Sequence, residues 1–131
     1  MNERACFLIK KENKILLIHR FKGGREYYVV PGGTVESGES IENACIREAK
    51  EETNLDIQLG PRLWEQINNG RREHYFLVNR FTGNLRLGGP ELAQQSLENR
   101  YILEWIDLND LSKINLLPPE NRLKIIEHFQ T

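Results

Sequence analysis

The stretch from Pro31 to Leu55, which reads PGGTVESGESIENACIREAKEETNL, constrains the fold of this chain more than any other. Two glycines open it, and a run of helix-forming residues follows a serine-containing turn. We expect the helix to begin near Ser40, because the serine hydroxyl can accept a hydrogen bond from a backbone N–H of the first turn. It should end near Asn54, since asparagine tolerates the left-handed conformation that closes many helices.

Three glutamates of this helix fall on or beside its apolar side. At about 100° per residue, the small and apolar residues that share one side are Ile41, Ala44, Cys45 and Ala49. The same projection places Glu48 and Glu52 inside that apolar sector and Glu51 at its edge. A solvated acidic face is the alternative interpretation, but carboxylates on a buried stripe would lose hydration and repel one another. This placement therefore predicts a positive partner for the three acids.

Carboxylate ligands alone restrict which positive partner fits. Zinc sites in proteins usually contain His or Cys, whereas Mg²⁺ and Mn²⁺ prefer oxygen. Magnesium is commonly held by a few carboxylates together with substrate phosphates. The sequence therefore favours Mg²⁺ or Mn²⁺ as the cofactor at Glu48, Glu51 and Glu52.

The stretch resembles the Nudix box, G-x5-E-x7-R-E-U-x-E-E-x-G-U, in which U is an aliphatic residue. The positions that match in register are Gly33, Glu39, Arg47, Glu48, Glu51, Glu52 and Leu55. The preceding Pro31-Gly32 is also typical of the family. Two positions depart from the pattern: Ala49 replaces a larger aliphatic residue, and Asn54 replaces glycine. Both changes are mild, because Asn54 can adopt the backbone geometry that glycine supplies.

The resemblance implies a fold and an activity. The fold would be a single α/β (α+β) Nudix domain over residues 1–131, with a mixed β-sheet sandwiched between α-helices. The activity would be Mg²⁺-dependent hydrolysis of a phosphoanhydride bond in a nucleoside diphosphate linked to another moiety. Nucleoside triphosphates, nucleotide sugars, dinucleotides and RNA 5′ ends remain open as substrates. A non-catalytic Nudix-fold module that senses nucleotides is the alternative, and retention of all the acidic positions favours catalysis.

The resemblance also implies roles for the matching residues. Glu48 and Glu52 would be the main metal ligands, while Glu51 would bind metal or accept the proton of the attacking water. Arg47 would orient the acids by pairing with Glu39 or a neighbouring glutamate.

Residues outside the helix complete the predicted site. Gly32 and Gly33 would let the backbone approach metal or phosphate closely. The segment from Thr82 to Arg100 is predicted to be a long loop, and such loops are often functional. It offers Glu91 and Glu98 as further acids, of which Glu91, beside a Gly-Gly-Pro bend, is the preferred candidate.

Composition sets bounds on the partners. A chain of 131 residues is large enough for one domain with a buried core. A formal net charge of −1 argues against a generally basic nucleic-acid surface, so long RNA is the least favoured substrate. Cys6 and Cys45 lack metal-ligand spacing and are expected to be reduced core residues. We expect no signal peptide or membrane span, a cytoplasmic location and a small-molecule nucleotide partner; the resemblance admits a homodimer.

The pattern of apolar residues in the rest of the chain predicts strands and one further helix. Apolar runs at 5–9 and 15–18 predict adjacent strands, and 27–30 predicts a third. Pro61 is expected to interrupt the strand that begins at Leu55, and the segments 63–67 and 75–81 should form a hairpin. A strand at 101–106 and an amphipathic helix after Pro118-Pro119 complete the pattern.

Several cationic and aromatic residues are weaker candidates for substrate contact. The cationic loop 20–25 either is a solvated turn or brings Arg20, Lys22 or Arg25 to substrate phosphates. Arg71, Arg72 and His74 are interpreted as residues without a substrate role. The residues that could stack on a base, but that also suit a core, are Tyr27, Tyr28, Trp64 and Tyr101.

Overall fold

The structure, a computed structural model, describes residues 2–88, 95–96 and 98–129. Its strands are β1 (Asn2–Leu8), β2 (Lys10–Lys11), β3 (Lys14–Lys22), β4 (Arg25–Val29), β5 (Gly32–Thr34), β6 (Asp56–Asn68), β7 (Arg71–Thr82) and β8 (Asn99–Asp107). Its helices are α1 (Ile41–Thr53), a 3₁₀ helix (Leu108–Lys113) and α2 (Glu120–Phe129). None of the helices in these ranges is long and apolar enough to cross a membrane.

The strands form two sheets. The first has the order β5-β1-β7-β6, in which β1 and β7 are parallel and the other pairs are antiparallel. In the second, β3 pairs with β2, β4 and β8, and all three pairs are antiparallel. The predicted mixed sheet is confirmed, and the structure adds that the strands divide between two sheets.

Strand β1 explains why helices cover both faces of the first sheet. Successive side chains of a strand point to opposite faces. Ala5 belongs to a buried cluster with Ala44 and Cys45 of α1. Leu8 belongs to a different cluster that includes Ile125 of α2. The two helices therefore cover opposite faces, which confirms the predicted sandwich.

Helix α1 begins and ends at the residues that the sequence predicts. The Ser40 hydroxyl accepts a hydrogen bond from the backbone N–H of Asn43 at 3.0 Å. Asn54 closes the helix in the left-handed region, with φ of 66°. Its side chain also donates to the carbonyl of Asn84 at 2.8 Å. Both ends of α1 are therefore set by residues of its own sequence.

The prediction that Pro61 interrupts a strand is wrong. Strand β6 continues from Asp56 to Asn68, and its pairing with β7 shifts register three times between Gln58 and Trp64. Proline has no N–H for a ladder hydrogen bond, and strands tolerate it at bulges and sheet edges. β6 is an edge strand, so irregular pairing accommodates Pro61 without ending the strand.

Other local predictions are confirmed. The β6–β7 hairpin turns at Asn69 and Gly70, whose φ angles of 53° and 73° suit a tight hairpin turn. Helix α2 begins directly after Pro118-Pro119. Cys6 and Cys45 are both free and buried, as expected for core thiols.

We predict that Ser40→Ala destabilises the fold by about 1 kcal/mol, because it removes the acceptor for an otherwise unpaired N–H at the start of α1. Urea denaturation measures the change. Ser112→Ala is the matched control, since Ser112 is exposed in the 3₁₀ helix and should change stability by less than about 0.5 kcal/mol. Equal effects of the two substitutions would show that the Ser40 cap does not stabilise α1.

Candidate functional site

Arg47 is the centre of an ionic cluster at one edge of the first sheet. Its Nε and Nη2 atoms donate to the two carboxylate oxygens of Glu39 at 2.7 and 2.9 Å, a bidentate pair. Its Nη1 donates to Glu48 at 2.9 Å and to Glu51 at 3.1 Å. Nη2 also donates to the carbonyl of Thr34 on β5 at 3.1 Å. The pairing predicted for Arg47 is therefore present, and it ties α1 to the turn and to β5.

The three glutamates of α1 differ in exposure as the helix projection predicts. Glu52 is buried, with 1% of its surface exposed. The side chain of Glu48 is 13% exposed and that of Glu51 is 47% exposed. Since Glu48 and Glu52 are one helical turn apart, the acids form a graded row from solvent into the core. The solvated-face interpretation fails for Glu52.

Gly33 brings the backbone of β5 directly against Glu48. A Cβ at Gly33 would overlap the carboxylate of Glu48. A Cβ at Gly32 would collide with the backbone of Ala5 and Cys6 on β1. Both glycines are buried, and each is required by a close approach. The double glycine therefore allows α1 and β5 to enclose the Glu48 carboxylate.

The bidentate pair changes the acidity of Glu39. Hydrogen bonding from Arg47 lowers the pKa of Glu39 from 4.5 to about 2, and a backbone hydrogen bond from Glu36 acts in the same direction. Hydrogen bonding to Glu39 raises the pKa of Arg47 in turn. Both partners are therefore charged across the physiological range.

The donor set of this cluster fits a hard divalent cation. Carboxylate oxygens from Glu48, Glu51 and Glu52 lie on one helix, and the close contact at Gly33 leaves no side chain between β5 and Glu48. Within the described ranges, no three acidic, His or Cys side chains already form a group that could hold a metal ion. Glu48 and Glu51 point to Arg47 instead, so a cation would compete with Arg47 for their oxygens.

The structure describes one of the two loop acids predicted to join the site. Glu91, the preferred candidate, lies outside the described residues. Glu98 is exposed beside the β3–β4 turn, where its carbonyl accepts a hydrogen bond from the N–H of Gly23 at 3.1 Å.

A cavity of about 460 Å³ and the ionic cluster lie on opposite sides of β1. Gly32 connects the two, because its carbonyl accepts a hydrogen bond from Arg4 at 3.2 Å and the next residue contacts Glu48. Residues from both sheets and from the segment before α2 line the cavity, including Arg20, Arg25 and Tyr27. Its volume lies in the usual range for small-molecule sites.

Two charged residues of this cavity, Arg4 and Glu73, were not predicted. They face each other across the parallel β1–β7 pair. Burial disfavours the charge on Arg4, but nearby anionic groups, which include Glu52 and Glu73, outweigh that effect and raise the pKa of Arg4. The sequence offers one signal for these residues, which is a charged residue next to an apolar strand. Their pairing could not be predicted, because Arg4 and Glu73 are far apart in the chain.

Some of the weaker aromatic and cationic candidates line the cavity, and the others lie elsewhere in the fold. Tyr27 lines the cavity, whereas Tyr28 stacks on His19 and Trp64 stacks on Tyr75. Of the other residues, Arg71 lines the cavity, Lys22 and Arg72 are exposed, and His74 is buried. The Nε2 atom of His74 lies 2.7 Å from a carboxylate oxygen of Glu3, and this hydrogen bond explains how the buried ring is accommodated within the fold.

We predict that Glu39→Gln lowers the free energy of unfolding above pH 4.5, and that this difference from the wild type shrinks at lower pH. Because the folded state lowers the Glu39 pKa to about 2, the contribution is complete above the unfolded pKa of 4.5 and is lost as pH falls through 2. Urea denaturation of the wild type and the variant between pH 2 and 6 measures it. A stability difference that stays constant across this range would contradict the assignment.

We predict that Gly33→Ala costs about 1–3 kcal/mol, because the added methyl group must displace the Glu48 carboxylate. The φ angle of Gly33 is not positive, so the expected effect is steric. Glu48→Ala removes the obstructing group, and Gly33→Ala should cost less in that background. A double-mutant cycle by chemical denaturation measures the coupling, and purely additive effects would refute it.

Comparison with known proteins places this architecture in a family. The family model described as a NUDIX domain matches residues 2–129. A protein from Methanocaldococcus jannaschii named ADP-ribose pyrophosphatase is 36% identical over 117 residues, which cover 82% of this chain and 62% of that protein. A protein from Pasteurella multocida named NAD-capped RNA hydrolase NudC is 33% identical over 128 residues, covering 92% of this chain and 43% of that protein. The chain thus spans less than two thirds of the length of either relative.

A solved structure agrees with the same assignment. The crystal structure of a MutT NUDIX hydrolase from Burkholderia pseudomallei superposes with a TM-score of 0.74 and is 25% identical in sequence. The match covers 99% of this chain and 98% of that chain. With the box residues clustered around Arg47 and the family model covering nearly the whole sequence, this chain belongs to the Nudix hydrolase family.

Proposed function

We propose that this protein hydrolyses a phosphoanhydride bond in a nucleoside diphosphate linked to another moiety, with Mg²⁺ or Mn²⁺ as cofactor. The observation that carries the proposal is the graded row of carboxylates at Glu48, Glu51 and Glu52, set against a glycine backbone and beside a cavity. Buried like charges are costly, and a divalent cation bound with substrate phosphates offsets that cost.

Each acid of the cluster has a proposed role. Glu48 and Glu52 hold the cation, and Glu51, the most exposed of the three, binds it or accepts a proton from water. Arg47 and its bidentate partner Glu39 keep the row in place, which makes both of them positioning residues. Gly32 and Gly33 keep side chains away from the phosphates.

The proposed reaction is a hydrolysis in which water displaces one phosphate from the other. The oxygen of a water molecule bonds to one phosphorus while the bond from that phosphorus to the bridging oxygen breaks. The water gives a proton to a carboxylate of the cluster, and the second phosphate leaves as an anion. When bound, Mg²⁺ would neutralise phosphate oxygens and lower the pKa of the attacking water.

The cavity provides room for the rest of the substrate. Its volume of about 460 Å³ suits a nucleotide-sized group, and the hydrogen bond from its lining residue Arg4 to Gly32 supports a location of that group near the proposed reaction site. Relatives named as an ADP-ribose pyrophosphatase and an NAD-capped RNA hydrolase support nucleoside diphosphate derivatives as the substrate class. The buried free thiols Cys6 and Cys45 favour a cytoplasmic location, where thiols stay reduced.

We predict that Glu52→Gln lowers kcat by at least about 100-fold on any substrate that the wild type hydrolyses. Stability in chelator should stay equal or rise, because a neutral amide is less costly to bury than a carboxylate. Mg²⁺ should raise the Tm of the wild type more than that of the variant, since it binds the folded site. Release of nucleoside monophosphate and thermal denaturation measure these effects.

Glu127→Gln is the matched control, because Glu127 is exposed on α2 and the substitution makes the same change in charge. It should keep both the activity and the response to Mg²⁺. Near-normal turnover by Glu52→Gln would refute the role of Glu52. Binding of nucleotides without turnover by the wild type, across a broad panel, would favour the sensing module instead.

A further inference from the structure

The cavity carries an excess of positive charge. Its charged lining residues are Arg4, Arg20, Arg25, Arg71 and Glu73. Four arginines against one glutamate leave three positive charges in excess, although the whole chain has a formal net charge of −1. Arg71 lies 3.6 Å from Glu73, so that pair is internally balanced. The remaining arginines make this cavity selective for anions.

Arg20 is held in place before any ligand binds. Its Nη2 donates to the side chain of Asn99 at 2.8 Å. Its guanidinium lies over the ring of Tyr101, 3.8 Å from the centroid. Its Nε is buried and has no hydrogen-bond partner among the residues that the structure describes. An ordered guanidinium with donor capacity to spare is suited to bind an anionic group.

Arg25 and Arg20 converge on one aromatic ring. Their guanidinium carbons lie 5.2 and 5.7 Å from the centroid of Tyr27. Within the described ranges, no carboxylate lies in ion-pair contact with either arginine. Two neighbouring cations repel each other, and an anion placed between them would offset that repulsion.

This pair of arginines is separate from the place proposed for the anhydride. Arg4 and Gly32 mark the side of the cavity beside the Glu48 row. Tyr27 lies on β4 of the second sheet, and two further strand residues and Val30-Pro31 separate it from Gly32. The Tyr27 end of the cavity therefore belongs to a different sheet from the Gly32 end.

We propose that the substrate carries a further phosphate, outside the cleaved anhydride, and that Arg20 and Arg25 bind it beside Tyr27. This inference rests on the proposed function and narrows its substrate class. The preferred substrate is a nucleoside diphosphate derivative with an additional phosphate on a sugar of one of the two groups that the anhydride joins. A derivative with neutral sugars leaves both guanidinium groups without an anion.

Two pairs of compounds that differ by one phosphate test this specificity. NADP carries a phosphate on its adenosine ribose that NAD lacks, and ADP-ribose can be compared with its derivative phosphorylated on the distal ribose. The kcat/KM of the full chain with Mg²⁺ should be about tenfold higher for the phosphorylated member of at least one pair, the size of one charged hydrogen bond. Equal kcat/KM values within both pairs would overturn the inference and leave the proposed hydrolysis standing.

Substitution of Arg25 assigns the effect to this cavity. Arg25 is exposed at the start of β4, so Arg25→Gln should fold normally and reduce the preference for the phosphorylated compound towards equality. Arg80→Gln makes the same charge change on β7, outside the cavity lining, and should keep the preference. Retention of the full preference by Arg25→Gln would refute the assignment.

Equilibrium binding separates failure of this inference from failure of the proposed function. Calorimetric titration of the Glu52→Gln variant measures affinity for both members of each pair without turnover. A roughly tenfold tighter binding of the phosphorylated member, abolished by adding Arg25→Gln, supports the anion site even if no compound is hydrolysed by the wild type. Equal affinity within both pairs contradicts it.

Discussion

The pairing of Arg47 with several carboxylates is the interaction on which the site depends. Acids placed together on one helix face repel each other, and one guanidinium that contacts Glu39, Glu48 and Glu51 offsets that repulsion. The bond to the Thr34 carbonyl extends this cluster to β5. Arg47 therefore has two effects. It offsets the repulsion among the acids at the edge of the first sheet, and it orients the carboxylates that it contacts.

The first sheet separates the candidate site into two compartments, which are the acidic cluster and the cavity. Strand β1 contacts α1 with one face and the core under α2 with the other, so the acids and the cavity are built on different sides of the same strand. The edge strand β5 joins them, because Gly33 faces Glu48 and the Gly32 carbonyl binds Arg4. A substrate of the proposed class that spans both compartments would have its phosphates and its remaining group held by separate elements.

The features that the sequence could predict are those encoded locally. Ser40, Asn54 and the acidic stripe follow from capping and helical periodicity, so the bounds of α1 and the burial order of its glutamates were predictable. The path of β6 through Pro61 and the pairing of Arg4 with Glu73 depend on contacts between distant segments. No local pattern records them. The same limit explains why Arg20 and Arg25 could be named from the sequence but not brought together at Tyr27.

The irregular edge strand β6 has a consequence for behaviour in concentrated solution. An exposed strand edge offers a row of unpaired backbone groups that a second chain can extend into a continuous intermolecular sheet. At Pro61 that row lacks a donor, and the three register shifts between Gln58 and Trp64 bend it away from a regular ladder. The irregular pairing around Pro61 thus makes the β6 edge a poor template for a strand of a second chain.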